Sequence, residues 1–151
     1  MRKDRTINNY VSVEINNETR RQIEEEELMA IVKHVLRSEK ISRAELSIAL
    51  VGTQKSRELN KRYRQKDKAA NVLSFPIADD VSGVVRGEII LCPAQIQRDA
   101  KVHGMIFEET LRWMLIHGIL HVAGYDHETE TDAEHMEKLE EKYLKSKSFL
   151  Q

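Results

Sequence analysis

Three histidines, His117, His121 and His127, have the residue type and spacing to act on chemistry together. His117 and His121 are four apart, so on an α-helix their imidazoles stand on one face, one turn from each other. Gly124 follows them. Without a Cβ it takes a positive φ at little steric cost, ends the helix and turns the chain so that His127 comes back toward the first two. Three neutral imidazoles arranged this way form a tripod suited to one Zn²⁺ per chain. The tripod leaves the fourth tetrahedral position for water, as catalytic zinc sites do. A lone histidine in an apolar helix is usually a packed core residue. Here Leu111 to Val122 is apolar nearly all round, which predicts a central, largely buried helix. Two rings set in it need polar partners, since an unpaired buried polar group costs about 1–3 kcal/mol. One shared metal serves both rings. Other divalent transition metals suit three imidazoles too, so availability selects among them.

The spacing His-x-x-x-His-x-x-Gly-x-x-His is also that of metzincin proteases, which carry Glu, the general base of peptide hydrolysis, directly after the first histidine. This chain has Gly118 there. A metallo-peptidase reading therefore keeps the metal and loses the base. Asp126, beside the third histidine, is the candidate carboxylate: it either polarises the metal's water or orients an imidazole. Cys92 ends an apolar run and reads as a small buried residue, not a ligand. His34, His103 and His135 receive no function. His34 and His135 are expected to be exposed on helices, and His103 precedes Gly104 near a helix end.

Two further blocks accompany the histidines. Leu59-Asn60-Lys61-Arg62-Tyr63-Arg64-Gln65-Lys66-Asp67 is followed by Asn71-Val72-Leu73-Ser74-Phe75-Pro76, and then by Gly87-Glu88-Ile89. With His-Gly-x-x-His-x-x-Gly-Tyr-Asp-His, these blocks resemble, in order, the signature of the YbeY-type proteins, bacterial zinc-dependent endoribonucleases of ribosomal RNA maturation. The family's usual Pro-Thr is Ala69-Ala70 here, and its Asp after glycine is Glu88. The resemblance implies a zinc-dependent endoribonuclease directed at single strands. It would act in maturation of the small-subunit ribosomal RNA 3′ end and in ribosome quality control, with ribosomal RNA and the small ribosomal subunit as partners. It also places the Arg64 segment along the active-site cleft.

The charge distribution suits that role. Seven Lys or Arg residues lie between Lys55 and Lys68, whereas eight acidic residues and a single lysine lie between Asp126 and Glu141. Lys61, Arg62, Arg64 and Lys66 are the candidate phosphate contacts, each releasing counterions. Arg64 is the candidate catalytic grip, because a guanidinium pairs with phosphate in a bidentate way. Asn71 and Ser74 are candidates to line the cleft as hydrogen-bond partners. Zinc would supply hydroxide near neutral pH and polarise a phosphoryl oxygen. The rivals are a metallo-peptidase-like hydrolase and a non-catalytic ribosome assembly factor with a structural zinc.

The elements that must position these groups are readable by period. Val11, Val13 and Ile15 alternate with polar residues as a half-buried strand. Residues 19–37 carry helical spacing, with the solvated run Glu24 to Glu27 in the early part. A strand is expected from Glu45 to Gly52, a helix from Lys55 to Arg64, and strands from Val72 to Pro76 and Glu88 to Cys92. Gly83 and Gly87 mark the connection between those two strands. Pro93 opens a helix, the histidine helix starts near Phe107, and a last helix runs from Asp132 to Lys145 behind a Thr131–Glu134 capping box. Tyr63 and Phe75 read as core or as stacking aromatics. The order predicts an α+β fold: one layered domain over residues 1–151, with a mixed sheet of about four strands packed with several helices.

Composition agrees. The 151 residues are 40% hydrophobic and 32% charged, with net charge −1. That net charge gives no overall basic signature of nucleic-acid binding. No apolar run approaches the ~20 residues of a membrane span, and the leading residues lack a signal-peptide core. One cysteine excludes an internal disulfide framework. A cytoplasmic protein without membrane contact is expected.

Overall fold

A computed structural model describes residues 9–77 and 83–146. Residues 1–8, 78–82 and 147–151, including part of the Gly83 connection and the leading segment, lie outside the described residues. The elements run β1 (Tyr10–Asn17), α1 (Glu25–Ser38), β2 (Arg43–Leu50), α2 (Thr53–Arg64), β3 (Val72–Ile77), β4 (Val85–Leu91), α3 (Pro93–His103), α4 (Phe107–Val122) and α5 (Glu130–Lys145). The sheet order is β1-β2-β4-β3, with β1–β2 and β2–β4 parallel and β3–β4 antiparallel. This is the mixed four-stranded α+β architecture expected.

Alternation sets the inner face. Ala44, Leu46, Ile48 and Leu50 of β2 are buried in turn, and Leu46, Ile48 and Leu50 lie in register with Gly87, Ile89 and Leu91 of β4. Pro76 stands on β3, an edge strand, where its missing N–H removes no interior ladder bond. α4 packs against β3 and β4 and also meets α1, α3 and α5, so it is the central helix. Ten of its sixteen residues are buried, which is why its sequence is apolar on nearly every side. Among the described residues no helix is long and apolar enough to cross a membrane.

Two glycines let α4 come this close to the sheet. A Cβ at Gly87 would lie 2.5 Å from Val122 Cγ1, and one at Gly118 would lie 2.8 Å from Ile89 Cγ2. The Gly118 contact bears on the protease comparison: the position of that family's base faces the buried sheet.

β2 and α2 begin two residues earlier than expected and β4 three, so Gly87 lies within β4 and not in the connection; two further differences have a visible cause. Residues 19–24 are not helical. Asn17 Oδ1 accepts from Thr19 N–H at 2.9 Å, Thr19 Oγ1 accepts from Arg21 N–H at 3.2 Å, and Asn17 Nδ2 donates to Arg21 O. Such side-chain bonds to nearby backbone offer an alternative to helix, and they win here. The last helix starts two residues early, because its cap is Thr129, whose Oγ1 accepts from Asp132 N–H at 3.0 Å. The loop from Asp67 to Ala70 is pinned without the family's Pro-Thr. Ser56 Oγ donates to Ala70 O and accepts from Ala70 N–H, and Asn60 Nδ2 donates to Lys68 O.

Candidate metal centre and RNA-facing cleft

Helix α4 ends after its two histidines in a Schellman turn. Gly124 has φ of +112°; its N–H donates to His121 O, and Tyr125 N–H donates to Leu120 O at 3.0 Å. The turn brings His127 back over both helical rings. Ring centroids of His117 and His127 are 5.7 Å apart, and those of His121 and His127 are 6.3 Å apart. The interplanar angles of 22° and 12° make both pairs stacked. Among the described residues, no group of three or more His, Cys, Asp or Glu side chains is drawn to a common metal point. The rings are gathered with their planes nearly parallel. Aiming three nitrogens at one point requires rotation about side-chain torsions, which exposed His127 is freest to make.

What lies behind the rings tests whether they suit a metal. Glu140 Oε2 is 2.6 Å from His117 Nδ1. A carboxylate oxygen accepts, so Nδ1 carries the hydrogen and Nε2 of the neutral ring presents its lone pair. Ser74 Oγ lies 2.6 Å from His121 Nδ1; where the hydroxyl accepts from Nδ1–H, Nε2 of that ring presents its lone pair too. Metal-ligating histidines are typically oriented by such partners. Burial holds His121 below the usual imidazole range. Arg64, His117 and His127 push in the same direction, and Asp126 pushes against them. The neutral ring that a ligand requires is thus favoured at neutral pH.

Glu140 and Ser74 come from opposite sides of α4. Glu140, on α5, is 6% exposed, and its second oxygen accepts from Trp113 Nε1–H at 2.8 Å. Ser74, on β3, is 5% exposed, so its side chain faces His121 instead of solvent. The loop that carries His127 is tied down by Glu39 at the end of α1, which accepts from the Tyr125 hydroxyl at 2.5 Å and from the Tyr143 hydroxyl. That bond and burial raise the Tyr125 pKa, so its hydroxyl stays protonated as a donor. Sequence reasoning missed Glu140, Glu39 and Trp113. A signal existed for Glu140: it falls between Met136 and Tyr143 on the buried stripe of α5, where an acid has no place unless it is paired.

The other expected residues divide by position. Arg64, at the end of α2, donates from Nη2 to Ser74 O at 3.3 Å and acts on His121 by charge, so it stands beside the imidazoles. Lys61 and Lys66 are exposed, with Lys61 Nζ 4.0 Å from Asp67 Oδ2. Arg62 lines an outer groove with Gln54 and Glu58, around α2 from Arg64. Asn71 Nδ2 donates to Asp99 Oδ2 at 2.8 Å. Asp126 is exposed and Oδ1 accepts from Glu128 N–H at 3.3 Å. Tyr63 is 55% exposed and meets Phe75 edge to face at 5.3 Å, so it is not core. Cys92 is fully buried at the start of α3. His135 is exposed and stacks on Tyr125, whereas His34 is half-buried, with Nε2 3.1 Å from Ser146 Oγ, because α5 folds over it.

Comparison with known proteins adds a second line. A family model described as Endoribonuclease YbeY matches residues 14–148. The chain is 42% identical over 121 residues to the Endoribonuclease YbeY of Chelativorans sp. (strain BNC1), covering 78% of this chain and 74% of that one. It is 35% identical over 136 residues to the Endoribonuclease YbeY of Cellvibrio japonicus, covering 89% and 77%. The solution structure of a Thermotoga maritima protein aligns with a TM-score of 0.60 at 30% identity, over 87% of this chain and 86% of that one.

Proposed function

The chain belongs to the endoribonuclease YbeY family and is an endoribonuclease, and we propose that it cuts single-stranded ribosomal RNA precursors at the imidazole cluster. The observation that carries the proposal is the pair of buried partners behind the rings. Glu140 and Ser74 hold the Nδ1 atoms of His117 and His121, which leaves both Nε2 atoms for a metal. His117, His121 and His127 would hold one zinc, or a similar divalent ion. When bound, the ion supplies Lewis acidity at a phosphoryl oxygen and acidifies water.

The protein's own groups do the rest. Arg64, beside His121, grips the scissile or adjacent phosphate with its guanidinium and sets the strand against the cluster. Lys61 and Lys66 add long-range attraction for the backbone, and Arg62, on the outer side of α2, meets a more distant phosphate. Asn71 lines the cleft. Ser74 acts from behind His121 as an orienting group. Asp126, exposed beside His127, is the group placed to take or hand on a proton. Residues 1–151 work as one domain. The substrate assignment extends to the 3′ end of small-subunit ribosomal RNA, to association with the small subunit and to ribosome quality control in the cytoplasm.

A peptidase is disfavoured by Gly118, because a glutamate there would be driven into Ile89 and away from the cleft. The test combines metal analysis with cleavage of matched single-stranded and duplex RNA. One zinc per chain and preferential cutting of the single strand are expected, with both metal and cutting lost in His117→Ala. Metal-free protein that cuts at the full rate would sink the proposal.

A further inference from the structure

Next to the cluster lies a cavity of about 690 Å³, within the usual range of small-ligand sites. His117 and His127 form one wall. Trp113 and Met114 of α4 form another, and Met136, Glu137 and Glu141 of α5 close the far side. The Trp113 ring is fixed, because its indole N–H is held by Glu140. An oriented aromatic among methionines is a stacking surface for a planar ring.

The carboxylates that line this cavity are acceptors. Glu137 and Glu141 are one turn apart on α5 and both line the cavity. Asn71 also lines it and offers its carbonyl oxygen, one of its two amide N–H groups being given to Asp99. The bond from Lys145 to Glu141, 3.3 Å long at the surface, is of the kind that contributes little. Carboxylates repel phosphate, so the strand's backbone belongs on the Arg64 side, and what enters here is uncharged, flat and rich in donors.

We propose that this cavity holds the nucleobase beside the scissile phosphate and selects bases that carry an exocyclic amine. Cytosine, adenine and guanine present such an amine to a carboxylate, as glutamate reads cytosine N4 in a groove. Uracil presents carbonyl oxygens on both sides of its one N–H and is disfavoured. The inference rests on the ribonuclease reading but adds a specificity determinant separate from the metal and from Arg64.

The test uses the chain's one tryptophan, Trp113, as its own reporter. Cytidine and uridine tetranucleotides with 2′-O-methyl groups are titrated against the emission of the full-length protein, and cleavage of matched RNAs with C or U flanking the cut is measured in parallel. The C tetramer should quench at roughly tenfold lower concentration than the U tetramer, and C should be cut about tenfold faster. A tenfold ratio is within reach of one hydrogen bond to a charged group. In the double variant Glu137→Gln, Glu141→Gln both ratios should fall to near one, with uridine-flanked cleavage unchanged. Equal quenching by C and U, or no quenching by either, overturns the pocket; if RNA is still cut, the ribonuclease reading survives alone. Selective quenching without RNA cleavage upholds the pocket and overturns the ribonuclease reading instead.

Discussion

On the α5 side of the imidazoles, the groups that orient the rings are buried and already paired. Glu140 has one oxygen on His117 and the other on Trp113. On the α2 side, Arg64, Lys61 and Lys66 are exposed on long stems, with Arg64 making one 3.3 Å bond to a strand carbonyl. The difference matches the two jobs proposed for them. Ring orientation needs fixed partners at low exposure, where hydrogen bonds are strong and geometry is held by packing. Attraction of a phosphate backbone needs charges that stay hydrated and move with the strand, and these contribute little to folding.

Removing Glu140 should have the largest effect. In Glu140→Ala two partly buried donors, Trp113 Nε1–H and His117 Nδ1–H, lose their acceptor at once. A loss of about 3 kcal/mol is expected in urea unfolding, together with weaker metal retention. Stability within error of the parent would break the contrast. Gly118→Ala comes next, at about 1–3 kcal/mol, because the new methyl meets Ile89 inside a filled core. It tests whether the tight α4–sheet seat matters to folding.

Arg64→Ala should leave unfolding and metal content unchanged while lowering RNA cleavage by roughly a hundredfold, the scale of one lost donor in a transition state. Arg64→Lys should recover only part, since an ammonium makes no bidentate contact. A stability loss in Arg64→Ala would place this residue with the buried wall. The smallest effect belongs to Asp67, whose pKa is lowered by its hydrogen bond to Arg57 and by the charges of Arg57 and Lys61. A carboxyl lowered in the fold stabilises it above the unfolded value of about 3.9 and loses that contribution as pH falls through its folded value. Asp67→Asn should therefore lower stability slightly at neutral pH, with the difference from the parent vanishing as pH falls through the folded value; a large change at pH 7 would contradict an exposed pair.

Much of this was legible along the chain, and the limits have physical causes. The i, i+4 histidines and the Gly124 turn are local, set by helix period and by the one residue without a Cβ, so the cluster was predictable from eleven consecutive residues. The sheet's strands followed from one alternating segment and from short apolar runs, and the central place of α4 followed from its all-round apolarity. The start of α1 was not legible. A few side-chain bonds from Asn17 and Thr19 outweighed a helical pattern, and periodicity does not register such competition.

The tertiary structure alone decided what stands behind each ring. Ser74 is 47 residues from His121 and Glu140 is 23 from His117, and neither pairing leaves a periodic trace. They meet because α4 is packed between the β3 edge and α5, and Gly87 and Gly118 let the helix settle close to the sheet. Residue type and spacing determined which imidazoles are gathered at the end of α4. Orienting those groups took distant segments brought to a shared buried place, where hydrogen-bonding partners are scarce and each polar atom must be paired.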